Sequence, residues 1–188
     1  MRVIAGSAGG IQLDVPKSGV RPTMDRVKAA IFSSLGELVV GARVLDLFAG
    51  TGALGLEALS RGATSALFVE QNAAAISAIE RNLVRTKFEG RVRQQDVFAF
   101  LRSASTREPF RIIFADPPYE KTRSGEAYTQ LLLDSHELAG MLESAGIFVL
   151  EKRPGEKIPT AEMWKVTRAR RYGATEVLFL RRNAAGTS

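Results

Sequence analysis

The chain has 188 residues, with 26 Lys and Arg against 20 Asp and Glu, one His and no Cys. Its length suits one layered domain, and its 45% hydrophobic content excludes a disordered chain. The absence of Cys excludes disulfides, thiolate zinc sites and cysteine nucleophiles, and a single His leaves no His-based metal cluster, so no metal is expected.

The net charge of +6 is unevenly spread. Residues 1–45 carry +3 (six basic, three acidic), residues 46–150 carry −2 (eleven, thirteen) and residues 151–188 carry +5 (nine, four). Basic ends around a slightly acidic middle suit a polyanionic partner gripped by the termini. No apolar run approaches the length of a membrane span, and Met1–Pro16 lacks the continuous apolar stretch of a secretory leader, so a cytoplasmic location is expected.

In chain order, Arg2–Ala5 and Ile11–Val15 flank a Gly-rich turn and read as a small hairpin. Met24–Leu35 reads as a helix with Thr23 as N-cap and Asp25 in its first turn. From Ala42, apolar runs at Arg43–Phe48, Ala66–Glu70, Val92–Gln95, Arg111–Ala115 and Ile147–Glu151 alternate with helical spacing over Gly52–Arg61, Asn72–Thr86, Val97–Ser103 and Glu126–Glu143. This alternation predicts an α/β fold with a parallel sheet buried on both faces. Trp164–Arg171 and Thr175–Arg182, joined by Tyr172-Gly173-Ala174, predict an antiparallel hairpin at its end. The expected organisation is a single domain: an extension over residues 1–40, a core over 41–182 and a flexible tail over 183–188.

Gly50-Thr51-Gly52-Ala53-Leu54-Gly55 follows a strand and opens a helix, where glycines let backbone approach a ligand at the carboxyl end of the sheet. Glu70 ends the next strand, placed to accept ribose hydroxyls, and Asp96 ends the third, placed to read an adenine amino group. Phe48, Gln71 and Val97, beside these positions, join the cofactor-binding candidates. Asp46, inside the first strand, would repel a pyrophosphate but suits a cationic ligand without phosphate. The expected cofactor is therefore S-adenosylmethionine rather than a nicotinamide dinucleotide.

Asp116-Pro117-Pro118-Tyr119 follows the fourth strand at the same sheet edge. The Asp116 carboxylate and the Pro117 carbonyl can accept the two hydrogens of an exocyclic amine, freeing its lone pair, and Tyr119 offers a face for stacking a base. Asp116, Pro117 and Tyr119 are the catalytic candidates. His136 reads as a surface residue, Trp164 as core, and Phe98-Ala99-Phe100 as either an adenine wall or core packing.

Together with Arg21-Pro22-Thr23-Met24-Asp25-Arg26-Val27-Lys28 and Leu45–Ala63, these motifs resemble the bacterial 16S ribosomal RNA guanine-N2 methyltransferases. The resemblance covers nearly the whole chain. It implies a class I methyltransferase fold with a mostly parallel seven-stranded sheet. It also implies methylation of guanine N2 in 16S ribosomal RNA, within the small subunit, by a monomer. One departure is Ile11-Gln12, where family members often carry a basic pair. Substrate and RNA contacts then fall to Arg2, Lys17, Arg21, Thr23, Arg26, Lys28, Pro118, Lys152, Arg153, Arg168, Arg170 and Arg171. The alternative is an amino-methyltransferase acting on DNA adenine N6 or protein glutamine.

Overall fold

The computed structural model describes residues 1–16, 25–103, 108–119, 127–156 and 162–183. Lys17, Arg21, Thr23 and the tail beyond Asn183 lie outside the described residues. Helix α1 (Asp25–Leu35) precedes β1 (Arg43–Leu47), α2 (Ala53–Ser60), β2 (Ser65–Glu70), α3 (Ala73–Thr86), β3 (Arg91–Gln94), α4 (Val97–Ser103) and β4 (Phe110–Ala115). Short helices α5 (Tyr128–Leu133) and α6 (His136–Met141) lead into β5 (Leu142–Lys152), β6 (Trp164–Tyr172) and β7 (Thr175–Arg182).

The strands form one sheet of order β3-β2-β1-β4-β5-β7-β6. The first five are parallel, and β7 runs antiparallel to both β5 and β6. This is the expected seven-stranded sheet with an antiparallel end. Strand order reverses between the neighbours β1 and β4, so the connections leaving their carboxyl ends diverge and open a crevice there.

Alternate residues of each strand feed opposite faces. Val44, Phe68, Ile112, Phe114, Val149 and Phe179 form one core, whereas Leu45, Val69, Ile113, Phe148, Leu178 and Leu180 form the other. The N-terminal extension is sewn into the first core through Val3, Leu13, Val27, Ile31 and Phe32. Its hairpin is a single Arg2–Gln12 bridge, with Val3 N–H donating to the Ile11 carbonyl at 2.9 Å. In α3, Ile76, Ile79 and Leu83 share the buried face, and the Asn72 side chain caps the helix by accepting from the Ala74 and Ala75 amides.

One long helix expected over Glu126–Glu143 is not present. Asp134 closes α5, and the Ser135 hydroxyl accepts from Leu138 N at 3.1 Å to start α6. Leu142 then pairs with Phe110, drawing the chain into β5 five residues before the expected start at Ile147. His136 is exposed, and Trp164 is buried with its indole N–H on the Leu133 carbonyl at 3.0 Å. No described helix is long and apolar enough to cross a membrane.

Candidate active site

A cavity of about 760 Å³ opens at the β1/β4 crevice. The turn after β1 supplies Phe48, Ala49, Gly50 and Thr51; the end of β2 and the turn after it supply Glu70, Gln71 and Asn72; the turn after β4 supplies Asp116–Tyr119. The structure thus brings the glycine loop and the Asp-Pro-Pro-Tyr turn to one cavity.

The loop is shaped by its glycines and by two acids. Gly52 takes a left-handed φ of 76° just before α2, and the chain reaches it through Phe48, itself at φ 55°. Gly55 rests on β2: a Cβ there would lie 2.3 Å from Phe68 Cε1. Its N–H donates to Asp46 Oδ2 at 2.9 Å. Asp46 is 2% exposed, and its burial raises its pKa to about 8, opposed by the Gly55 bond and reinforced by the Asp116 and Glu70 carboxylates. The sequence expectation of a charged Asp46 is therefore incomplete, because near neutral pH its burial favours the protonated form.

Glu70 holds three amides at once. Oε2 accepts from Gly50 N at 2.9 Å, while Oε1 accepts from Gln71 N at 2.9 Å and Asn72 N at 2.8 Å. One carboxylate thereby ties the glycine loop to the turn after β2 and leaves lone pairs for a ligand's hydroxyls.

Asp96 is exposed and caps α4, accepting from Ala99 N at 2.8 Å. Neither Asp96, Val97, Gly52 nor Gly55 lines the cavity, so the two glycines act on its shape. Tyr128 was not anticipated, although it lines the cavity and packs its ring 5.7 Å from Phe48 and 5.9 Å from Phe98. It belongs to no motif; only its place shortly after the Asp-Pro-Pro-Tyr turn could have suggested it. Of the aromatic pair after Asp96, Phe98 joins this cluster and Phe100 is core. Tyr119 bonds through its hydroxyl to Thr175 Oγ1 at 2.8 Å.

Two proposed RNA contacts are corrected. Lys28 is fully buried, with Nζ 3.3 Å from Glu57 Oε2 and donating to the Arg2 carbonyl. Lys152 is 1% exposed, and its Nζ donates to Glu176 Oε2 and to the Arg153 carbonyl, each at 2.7 Å. Both ammoniums are consumed inside the fold. Arg2, Arg26, Arg153, Arg168, Arg170, Arg171 and Pro118 are exposed.

The family model described as Conserved hypothetical protein 95 matches residues 1–181. The chain belongs to this family. The Bacillus subtilis (strain 168) relative YlbH is 38% identical over 187 residues, covering 97% of this chain and 99% of its own. Ribosomal RNA small subunit methyltransferase D of Escherichia coli (strain K12) is 36% identical over 191 residues, covering 100% of this chain and 93% of its own. The solved structure of Escherichia coli yhhF superposes with a TM-score of 0.80 at 32% identity, covering 98% of each chain. With this identity across nearly all of both chains, the family member described here is a methyltransferase.

Proposed function

We propose that the protein transfers a methyl group from S-adenosylmethionine to the exocyclic N2 amino group of a guanine in 16S ribosomal RNA, within the small ribosomal subunit. The observation that carries this reading is the single cavity bounded by Glu70 and the glycine loop on the donor side and by Asp116–Tyr119 on the acceptor side.

The donor set fits the methyl donor. Among the described residues, three carboxylates, Asp46, Glu70 and Asp116, line the cavity against one cation, Arg153, a balance that favours a cation over a phosphate ester. Glu70 would take the ribose hydroxyls, and the loop backbone and Asp46 the cationic end. When bound, S-adenosylmethionine supplies an electrophilic methyl on a positively charged sulfur. The chain's own work is positioning. The Asp116 carboxylate and the Pro117 carbonyl accept the two N–H bonds of the amine, and Asp116 is placed to receive the proton that the methylated amine sheds. The Tyr119 ring gives the base a stacking face, with its hydroxyl held by Thr175. The ribosomal RNA substrate is supported by the name of the 36% identical relative and by exposed arginines at both ends of the chain. That name also makes DNA adenine or protein glutamine the weaker alternative.

Incubation with labelled S-adenosylmethionine and undermethylated small subunits, followed by mapping of the modified nucleotide, tests the reading. Label on one guanine N2 is expected, and its loss in Asp116→Ala with donor binding retained. Label on DNA adenine or protein alone would overturn it.

A further inference from the structure

A second cavity, of about 210 Å³, adjoins the first. The two share Pro117, Pro118, Tyr119, Tyr128 and Arg153, and the smaller adds Glu156. Among the described residues lining either cavity, Arg153 is the one cation. Its guanidinium carbon lies 5.5 Å from the centroid of the Tyr119 ring. Its backbone is pinned, because the Lys152 ammonium donates to its carbonyl while paired with Glu176. A planar fork of donors thus stands on an anchored backbone over one face of the Tyr119 ring.

The larger cavity therefore carries both an acceptor carboxylate, Asp116, and a donor fork, Arg153. Guanine matches both. Its N1–H and N2 amino group form a donor edge, while O6 and N7 form an acceptor edge that Arg pairs with in bidentate fashion. Adenine would turn its N6 donor toward the guanidinium at that edge.

We propose that Arg153 selects guanine by donating to the O6/N7 edge of the target base while Asp116 holds its N2 amino group. This rests on methyl transfer to guanine, as proposed above. It also gives the buried Lys152 and its half-buried partner Glu176 a positioning role, since they fix the residue that reads the base.

The test pairs an atom deletion in the RNA with a deletion in the protein. Rates are measured with labelled S-adenosylmethionine on an RNA containing the mapped guanine, and on the same RNA carrying 7-deazaguanine there, which lacks only N7. The wild type should lose roughly 10-fold or more in kcat/KM on the deaza RNA, the scale of a bond to a charged group. Arg153→Met should be slower on guanine by at least that factor and show no further loss on the deaza base. Arg153→Lys, which keeps the charge but not the fork, should behave as Arg153→Met does. Calorimetric affinity for S-adenosylmethionine should stay unchanged in both variants. A deaza penalty that persists undiminished in Arg153→Met, full rescue by Lys, no deaza penalty in the wild type, or weakened donor binding would each overturn the proposal. Wild-type protein that binds the donor but methylates neither RNA would overturn the guanine reading beneath it as well.

Discussion

The Lys28 ammonium lies 3.3 Å from Glu57 Oε2, with both side chains fully buried, and joins α1 to the helix that opens from the glycine loop. Glu57 also accepts from Ile4 N at 2.7 Å, Ala5 N at 3.1 Å and Arg61 Nε at 2.7 Å. One carboxylate thus gathers the N-terminal strand segment, α1 and α2. Lys28→Ala should cost about 1–3 kcal/mol in urea unfolding, because it removes one partner of a buried carboxylate that keeps Arg61 and two amides. The double change Lys28→Met with Glu57→Gln should recover part of that loss. A single change costing under about 1 kcal/mol would show that the pair does not hold the extension.

Asp46 makes stability and donor binding depend on pH in opposite senses. Burial raises its pKa from 3.8 to about 8 in the folded chain. Across that window the folded chain keeps a proton that the unfolded chain has lost, so stability falls as pH rises, and the full penalty is present above about 8. Asp46→Asn should therefore match the wild type near pH 4 and melt higher than it at about pH 9. A cationic donor favours the ionised form, so its binding to the wild type should tighten from about pH 6 to 8 and release protons. Calorimetry in buffers of different ionisation enthalpy reads that release, which the Asn variant should lack.

Glu70 acts on the donor and on the loop together. Glu70→Ala leaves the Gly50, Gln71 and Asn72 amides without their acceptor. Water can reach the exposed Gln71 and Asn72 amides, so the stability cost should be about 1–2 kcal/mol. Affinity for S-adenosylmethionine should fall by more than roughly 10-fold, as expected for lost bonds to a charged acceptor. Unchanged affinity by calorimetry would remove Glu70 from the donor site.

Along β6, Arg168, Arg170 and Arg171 are exposed. If they meet phosphate, each Arg→Ala change should weaken RNA binding uniformly across sequences and reduce the slope of log K against log salt by about 0.7–0.9. A filter-binding titration at several salt concentrations gives that slope. Slopes equal to the wild type for all three would place the RNA on another face.

Residues whose role follows from spacing were readable in one dimension; those whose role depends on a distant partner were not. Gly50–Gly55 and Asp116–Tyr119 stand at strand ends, and the topology delivers them to one crevice. Lys28 and Lys152 read as surface cations because a long aliphatic stem carries no sign of burial, and their partners Glu57 and Glu176 lie far along the chain. The break between α5 and α6 rests on one hydroxyl cap at Ser135 inside an otherwise helical pattern. At Asp96 the sequence leaves a second role unread: a carboxylate before a helix can serve as its cap, and here it accepts from Ala99 N.

The position of β6 at the margin of the sheet has a consequence for self-association. A marginal strand offers a row of unpaired backbone groups to any other extended segment. Its nine residues include the exposed side chains of Lys165, Arg168, Arg170 and Arg171. Two such strands laid side by side from separate copies would crowd like charges together, which disfavours their pairing. Neutralising those side chains, by substitution or by a bound polyanion, would open a nine-residue margin to strand addition.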